Sequence, residues 1–569
     1  MSAAESSFRP FRCLVAALSG FLFTYFFFAS WETWKEIGTQ NWDQEGLAWL
    51  KLDFWARQQH VKEALAGGAL TLGLALLGEL LQGRAVPGLG LLRWGTRTFG
   101  RPLGFFAVLL LALLPRGLAR VTRPAPAEGA PNVMFVLVDT WRGDRTSFLG
   151  YERETWPEIG EMAEEGVVFE RAITQAPWTK PTVATLFTSL VPSKHGAMSH
   201  MPRDSGRRFV AMGNRHTTLA EKLAVAGYET IAFTHNANIQ PIYGFGQGFR
   251  HFDFLDSWDL RAETMIAEAQ AWLDGYDEDR PFFVYLHLTD PHYPYDPPAP
   301  YKGTWDQSDD DFNLEYSVIK DFHEGKREIT PEQLQHLFDA YDEEMLYTDS
   351  QLAPFFRGLR ERFPNTVFVL VGDHGDELWE HDSVGHGHVV FDELTWVPLV
   401  LWGPGLPPMR VPDQVRLLDV LPTLLELTGA GEPNEEMMGA SLMPLVRGEE
   451  SGHRPAPMET GGDGEPPWHV RGLSMVVDGV LWKMVRNELS DFNNEVSFEL
   501  YDLDADPKEQ RNLAAERPEL VERLFEEMKA RGWYTHPDDL QGEAVHWKAS
   551  AETAENLEGL GYLDAGDEE

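Results

Sequence analysis

Apolar residues are unevenly spread along the chain. Near the N terminus they form three nearly unbroken runs, at residues 13–30, 64–81 and 103–117, the last purely apolar only over Leu103–Leu114. A helix of about 20 apolar residues crosses a bilayer. The first two runs therefore predict spans, and Trp31 and Trp34 follow the first as interfacial anchors do. The third is short for a span, but is read as one. Arg9 and Arg12 precede the first run, and Arg84, Arg93, Arg97 and Arg101 fill the loop between the second and third. Basic loops favour the cytoplasmic side. Three spans then leave the rest of the chain outside the cytoplasm, so an integral membrane protein with an extracytoplasmic (periplasmic or extracellular) main domain is expected. Its first partner is the lipid bilayer.

The pattern changes after residue 122. Residues 123–131 are rich in Pro and Ala and read as a linker. From residue 132, short runs of buried-strand type at 132–138, 229–234, 282–288, 366–371 and 397–402 alternate with helical stretches at 157–165, 181–190, 217–226, 261–274, 331–361 and 416–428. Such alternation predicts an α/β domain, here over 132–464, with a mostly parallel sheet flanked by helices. Residues 465–535 predict a small α+β subdomain: a hairpin around Asp478-Gly479, a strand at 499–503 and a helix from Pro518 to Arg531. An acidic tail closes the chain at 536–569.

Composition narrows the function classes. The formal charge of −41 excludes a nucleic-acid surface, which needs clustered Lys and Arg. The single cysteine, Cys13, rules out an internal disulfide and a thiolate metal site.

The candidate chemistry sits where predicted strands end, the usual ligand position in α/β folds. Asp139 ends the first strand, and Asp373-His374 follow the strand at 366–371. Asp also caps helices commonly, but two strand-end carboxylates with an imidazole offer donors for a divalent ion. Zinc or manganese suits the imidazole best, with magnesium and calcium as alternatives. Thr179 opens a helix that has Pro181 in its first turn. It reads either as an N-cap or as a hydroxyl nucleophile at a positive helix end, activated by the metal. His292, His386 and His388 lie in loops after predicted strands and are candidates for leaving-group acid and oxyanion contacts, with His235 and Asn236 as further substrate-binding candidates. Lys180 joins that group beside Thr179.

Several segments together resemble the sulfatase branch of the alkaline phosphatase superfamily, from about residue 131 onward. Val138-Asp139-Thr140-Trp141-Arg142-Gly143-Asp144 resembles the first metal motif of that family. Thr179-Lys180-Pro181-Thr182, with Leu186 to Gly196, resembles its nucleophile helix, and Gly372-Asp373-His374-Gly375 its second metal motif. Leu418 to Leu425 and Leu500 to Pro507 resemble two downstream signatures. The pattern departs from true sulfatases at the nucleophile. Their Cys-x-Pro-x-Arg, whose cysteine becomes formylglycine, is replaced by Thr179 and Val183. Thr140 stands beside Asp139 where they pair two aspartates, and His386 replaces a lysine.

A threonine with Asp, Asp and His ligands is similar to other branches: phosphodiesterases, lipoteichoic acid synthases and phosphoethanolamine transferases. The last two also carry N-terminal spans. The resemblance implies a metal-dependent hydrolase or transferase that moves a phosphoester group through a Thr179 covalent intermediate, on a small-molecule, lipid or envelope-glycan ester. It implies Thr179, His292 and His386 as catalytic, and Asp139, Thr179, Asp373 and His374 as metal ligands. The competing expectations are a sulfuric ester hydrolase working without formylglycine and an inactive envelope scaffold.

Overall fold

In the computed structural model the described residues run from 124 to 535 and 543 to 546, apart from short segments at 199–207, 214, 256, 258–259, 277–278, 309–311, 463–467 and 490–495. The three predicted spans lie outside them. Among the described residues no helix is long and apolar enough to cross a membrane.

Eight strands form the central sheet: β1 (Asn132–Val138), β2 (Val167–Ile173), β4 (Glu229–Thr234), β5 (His251–Phe254), β6 (Phe282–Leu288), β7 (Thr366–Gly372), β10 (Trp396–Trp402) and β11 (Met409–Arg416). Their order is β11-β2-β10-β7-β1-β6-β4-β5. All pairings are parallel except the two made by β10, so the expected mostly parallel sheet is observed, with one reversed strand inside it. Two short pairs complete this part: β3 (Arg208–Ala211) with β16 (Glu543–His546), and β8 (Glu377–Leu378) with β9 (Val384–Gly385).

The sheet is central because its strands are apolar on both faces, as parallel strands covered by helices must be. Val133, Phe135 and Leu137 of β1 enter one core, with Val183 and Leu186 of a helix at Thr179–Thr188 and Leu421 and Leu424 of another at Val420–Thr428. Met134, Val136 and Val138 enter the opposite core, under helices Pro157–Ala163, Ala262–Asp274 and Pro331–Arg362. We name these five helices in chain order α1 (157–163), α2 (179–188), α3 (262–274), α4 (331–362) and α5 (420–428).

Three strands of this sheet escaped the sequence pattern: β2, β11 and the four-residue edge strand β5. β2 carries Glu170 and Arg171 mid-strand, and edge strand β11 holds Pro412 and Asp413, which break both alternation and apolarity. The C-terminal sheet runs β12 (Ala456–Gly462), β13 (Trp468–Val477), β14 (Val480–Leu489) and β15 (Val496–Asp502), all antiparallel. Its first strand lies before residue 465. Asp478 and Gly479 turn the β13–β14 hairpin with φ of 54° and 85°, the left-handed pair that a two-residue hairpin of this twist needs. Helix α6 (Pro518–Ala530) packs Leu520, Val521, Leu524 and Met528 onto this sheet.

Candidate active site

Strand alternation aims the first carboxylate. Asp139 continues the phase of Val133, Phe135 and Leu137, which face the core containing α2. Asp373 does the same beyond Val367, Val369 and Val371. Because β1 and β7 are neighbours in register, with Val138 beside Gly372, the two aspartates emerge side by side. Gly372 and Gly375 allow the close approach. A Cβ on Gly372 would lie 2.8 Å from the Trp141 carbonyl oxygen, and one on Gly375 only 1.9 Å from that of Glu393.

The resulting cage is buried. Asp139, Thr179, Asp373 and His374 are all fully buried. Asp139 Oδ2 accepts from Asn236 Nδ2 at 3.0 Å and from His287 Nε2 at 3.2 Å. Asp373 Oδ1 accepts the backbone N–H of Thr140 at 3.1 Å and of His374 at 2.8 Å. The other oxygens, Asp139 Oδ1 and Asp373 Oδ2, have no hydrogen-bond partner among the described residues. Both lie 3.4 Å from His374 Nε2. That imidazole donates its Nδ1–H to the Gly375 carbonyl at 2.9 Å, so Nε2 presents a lone pair. Thr179 Oγ1 is 3.3 Å from the same nitrogen.

The electrostatics match the geometry. Burial, helped by the charge of His386, pulls His374 down to about 3, so the ring is neutral. Burial and then the Asp139 charge push the Asp373 carboxyl far above its ordinary range. Burial also opposes ionisation of Asp139, but the His287 hydrogen bond and the electrostatic influence of the neighbouring His292, His374 and His287 rings outweigh it and hold the carboxyl below its ordinary range. Two buried, orphaned carboxylate oxygens converging on an imidazole lone pair fit a divalent cation, since orphaned buried acceptors are otherwise costly. The donor set of carboxylates, imidazole and hydroxyl suits zinc or manganese.

Thr179 is the first residue of α2, not its cap. Trp178 occupies the cap position with extended backbone and makes no side-chain cap bond, which leaves the threonine hydroxyl to face His374. Thr140 is held at φ 52°, a costly conformation for a β-branched residue. Its N–H is fixed by Asp373 and its carbonyl by the Tyr341 hydroxyl at 2.6 Å.

The other sequence candidates divide. His292 and His386 stand beside the cage: the His386 ring centroid is 4.5 Å from that of His374 and 5.1 Å from that of His292. Asn236 reaches the cage through its hydrogen bond to Asp139. His235 is bound sideways, Nδ1 to the Ser257 carbonyl at 3.0 Å and Nε2 to the Thr289 hydroxyl at 2.6 Å. Lys180 lies over the Tyr243 ring at 4.8 Å, and burial pulls its pKa down to about 8. His388 turns to Glu377 and Ser383, each at 3.0 Å from Nε2.

Three supporting residues went unread in the sequence. These are His287 inside an apolar strand, Asp376 just after the Gly372–Gly375 motif, and Tyr295 in an unpatterned loop. A histidine closing an otherwise apolar strand was the available signal for His287. A second carboxylate–imidazole group, Glu377, His381 and Glu393, also has spacing that could hold a metal. There the His381 Nδ1–H is already given to Glu393 at 2.5 Å and the ring stacks on Phe391 at 3.7 Å. Burial opposes its charge, but the Glu393 bond and the surrounding glutamates push it up to about 9, so the group is satisfied as an ion pair.

Comparison with known proteins agrees with this architecture. Residues 131–430 match the Sulfatase family, and 385–532 match the C-terminal part described as N-sulphoglucosamine sulphohydrolase, C-terminal. An arylsulfatase of Clostridium perfringens is 26% identical over 456 residues, 67% of this chain and 90% of that protein. A Delta 4,5-hexuronate-2-O-sulfatase of Bacteroides thetaiotaomicron is 24% identical over 433 residues, 70% of this chain and 87% of that protein. The phosphonate monoester hydrolase of Agrobacterium radiobacter superposes with a TM-score of 0.57 at 20% identity, covering 74% of this chain and all of that one. With a family match that spans more than half of its length, the chain belongs to the sulfatase family of ester hydrolases.

Proposed function

We propose that this chain is a divalent-metal-dependent hydrolase or transferase that moves a phosphoester group through a covalent Thr179 intermediate. One observation carries the reading. The Thr179 hydroxyl, 3.3 Å from His374 Nε2, stands within a buried group that also holds two orphaned carboxylate oxygens. Asp139, Asp373, His374 and Thr179 would hold the ion, zinc or manganese in preference to magnesium or calcium; once bound it would lower the hydroxyl pKa and draw charge from the ester.

The residues then divide the work. Asn236 and His287 orient Asp139, and α2 fixes Thr179. His292, whose buried Nε2 has no hydrogen-bond partner among the described residues, handles the leaving-group proton, with His386 alongside it. Threonine favours phosphorus over sulfur for a chemical reason. The formylglycine hydrate of sulfatases has a second hydroxyl that can expel sulfate by elimination, whereas a threonine ester has none. Its breakdown requires attack at the central atom by water or another alcohol. The N-terminal apolar runs fit a lipid or envelope-glycan substrate, and the glycan sulfatase among the relatives fits the glycan. A sulfate ester is the second reading, favoured by relatives that are themselves named sulfatases.

The test is turnover by the full-length chain of a chromogenic phosphodiester, a phosphonate monoester and an aryl sulfate, with and without chelator. Chelator-sensitive phosphoester or phosphonate cleavage is expected. Turnover of the sulfate alone would overturn the choice of phosphorus.

A further inference from the structure

The loop after β6 carries His292 and is gripped on both sides of that residue. Upstream, Asp290 is buried, and its Oδ2 accepts the backbone N–H of Ala262, the first residue of α3, at 2.8 Å. Downstream, Asp296 gives its backbone N–H at 2.9 Å to Oε1 of Glu344, a buried residue within α4. Between these anchors the His292 N–H closes a turn onto the Thr289 carbonyl at 2.6 Å. One guanidinium joins the anchors. Arg261 Nη1 lies 3.7 Å from Asp290 Oδ1 and 3.5 Å from Glu344 Oε1, and its Nη2 donates to the Asp296 carbonyl at 2.5 Å. Glu344 Oε2 is buried and has no hydrogen-bond partner among the described residues.

The charges around this point do not balance. Helix α3 brings Glu263, and the residue before it is Arg261; α4 brings Glu343, Glu344 and the Tyr347 ring beneath Arg261. The loop brings Asp290 and Asp296, the latter paired at its rim with Lys302 at 2.8 Å. Glu343 is occupied by the backbone N–H groups of Gly303, Trp305 and Asp306. Among the described residues Arg261 thus faces two buried carboxyl groups by itself. Two such groups sharing one site do not both ionise readily. The oxygen that no N–H reaches is where a proton removes both the excess charge and the orphaned acceptor. Burial, joined by the Asp290 charge, accordingly holds the Glu344 carboxyl above its ordinary range.

We propose that Asp290, Arg261 and Glu344 form a clamp that positions His292 for the reaction, with one proton held between the two carboxyl groups. The inference rests on the phosphoester reading above, in which His292 handles the leaving-group proton. With the clamp protonated, the loop is tied to α3 and α4, and His292 keeps its place beside the cage. Loss of the proton leaves two buried negative charges on one guanidinium and loosens the grip. The three residues act through the loop and not on the substrate.

The test uses the full-length chain supplied with zinc or manganese, its Glu344→Ala, Glu344→Gln and His292→Gln variants, and the double variant of Glu344→Ala with His292→Gln. On phosphodiesters, kcat and KM are measured with alkyl and nitrophenyl leaving groups, and thermal midpoints are recorded from acid to alkaline pH. In Glu344→Ala, kcat for an alkyl ester is expected to fall about 100-fold, the order of loss from a small displacement of a reacting group, with KM unchanged and the nitrophenyl ester little affected. Glu344→Gln has the shape of the neutral acid and should restore the rate. Once His292 is replaced, Glu344→Ala should cost nothing further, whereas a residue that only supports the fold costs the same in both backgrounds. An acid whose folded pKa is raised loses its stabilising effect as pH rises through that pKa. The wild-type midpoint should therefore fall relative to that of Glu344→Gln as pH rises above the ordinary carboxylate range. Additive losses in the double variant, or wild-type and Glu344→Gln midpoints that stay parallel, would overturn the proposal. Thr179→Ala runs alongside. If it retains turnover, or if only an aryl sulfate is cleaved, the phosphoester reading fails by itself, and the midpoints and the same variant cycle on the cleaved ester still decide the clamp.

Discussion

His287 donates its Nε2–H to Asp139 Oδ2 across the β1–β6 ladder, at 3.2 Å and with both side chains fully buried. The Tyr285 hydroxyl occupies the other ring nitrogen at 3.0 Å, which fixes the tautomer. This pair turns the second oxygen of Asp139 toward His374 and Thr179. Replacing His287 with Ala is therefore expected to weaken binding of zinc or manganese by about 10–100-fold, as loss of a residue behind a metal ligand does. Calorimetric titration of metal into wild type and variant measures this. Equal affinities would mean that Asp139 needs no orientation.

Thr179→Ala should keep most of the metal, since three other donors remain, while kcat falls by at least about 10³-fold. Thr179→Ser restores a hydroxyl at the same place and should recover part of the rate. Mass spectrometry of acid-quenched turnover is expected to find one phosphoryl group on the peptide carrying residue 179. A fully active alanine variant would remove the covalent step.

The apo cage has a pH signature. Asp373 is raised by burial and by Asp139. An acid whose folded pKa lies above its unfolded value contributes stability while protonated, and loses it as pH rises through the folded pKa. Metal binding must displace that proton. Chelated protein is thus expected to lose thermal midpoint as pH rises above the ordinary carboxylate range, and added metal to abolish the loss. Metal affinity should rise over the same interval. Parallel melting curves with and without metal would contradict the assignment of the cage.

Gly375→Ala is expected to fail at the level of folding. Its Cβ would meet the Glu393 carbonyl oxygen at 1.9 Å and Arg142 Cγ at 2.7 Å, far inside contact distance. The loop must move, and His374 and Asp376 flank it. Destabilisation of several kcal/mol, on the order of the large values seen for core overpacking, should appear in chemical denaturation together with loss of bound metal. A variant as stable as wild type would show that the loop has freedom the packing denies.

What the sequence disclosed follows from range. β1, β6 and β7 were legible because a strand apolar on both faces stands out in any window, and Asp139 and Asp373 because they end such strands. Thr179 was legible through Pro181, but its exact place on the helix was not, since the extended Trp178 is set by packing. β2 and β11 were hidden by Glu170, Arg171 and Pro412, whose positions make sense only near a sheet edge. The supports were hardest to see. Asp376, Tyr295 and His386 come together through hydrogen bonds between loops 81 and 10 residues apart along the chain, and no local periodicity encodes them. For the same reason the bond of His388, two residues from His386, to Glu377 is not legible in the sequence.

The order β7-β1-β6-β4 has a bearing on how the protein matures. The donors of the cage and their supports come from the ends of these four adjacent strands and one helix, yet they are scattered from residue 139 to residue 374. No fragment ending before β7 contains Asp373, and none lacking β1 contains Asp139. If the cage holds an ion as proposed, high-affinity metal capture would wait for the centre of the sheet to close, and a nascent or truncated chain would have little with which to scavenge the ion. Metal uptake would then report closure of the sheet's centre, a natural checkpoint between folding and activity.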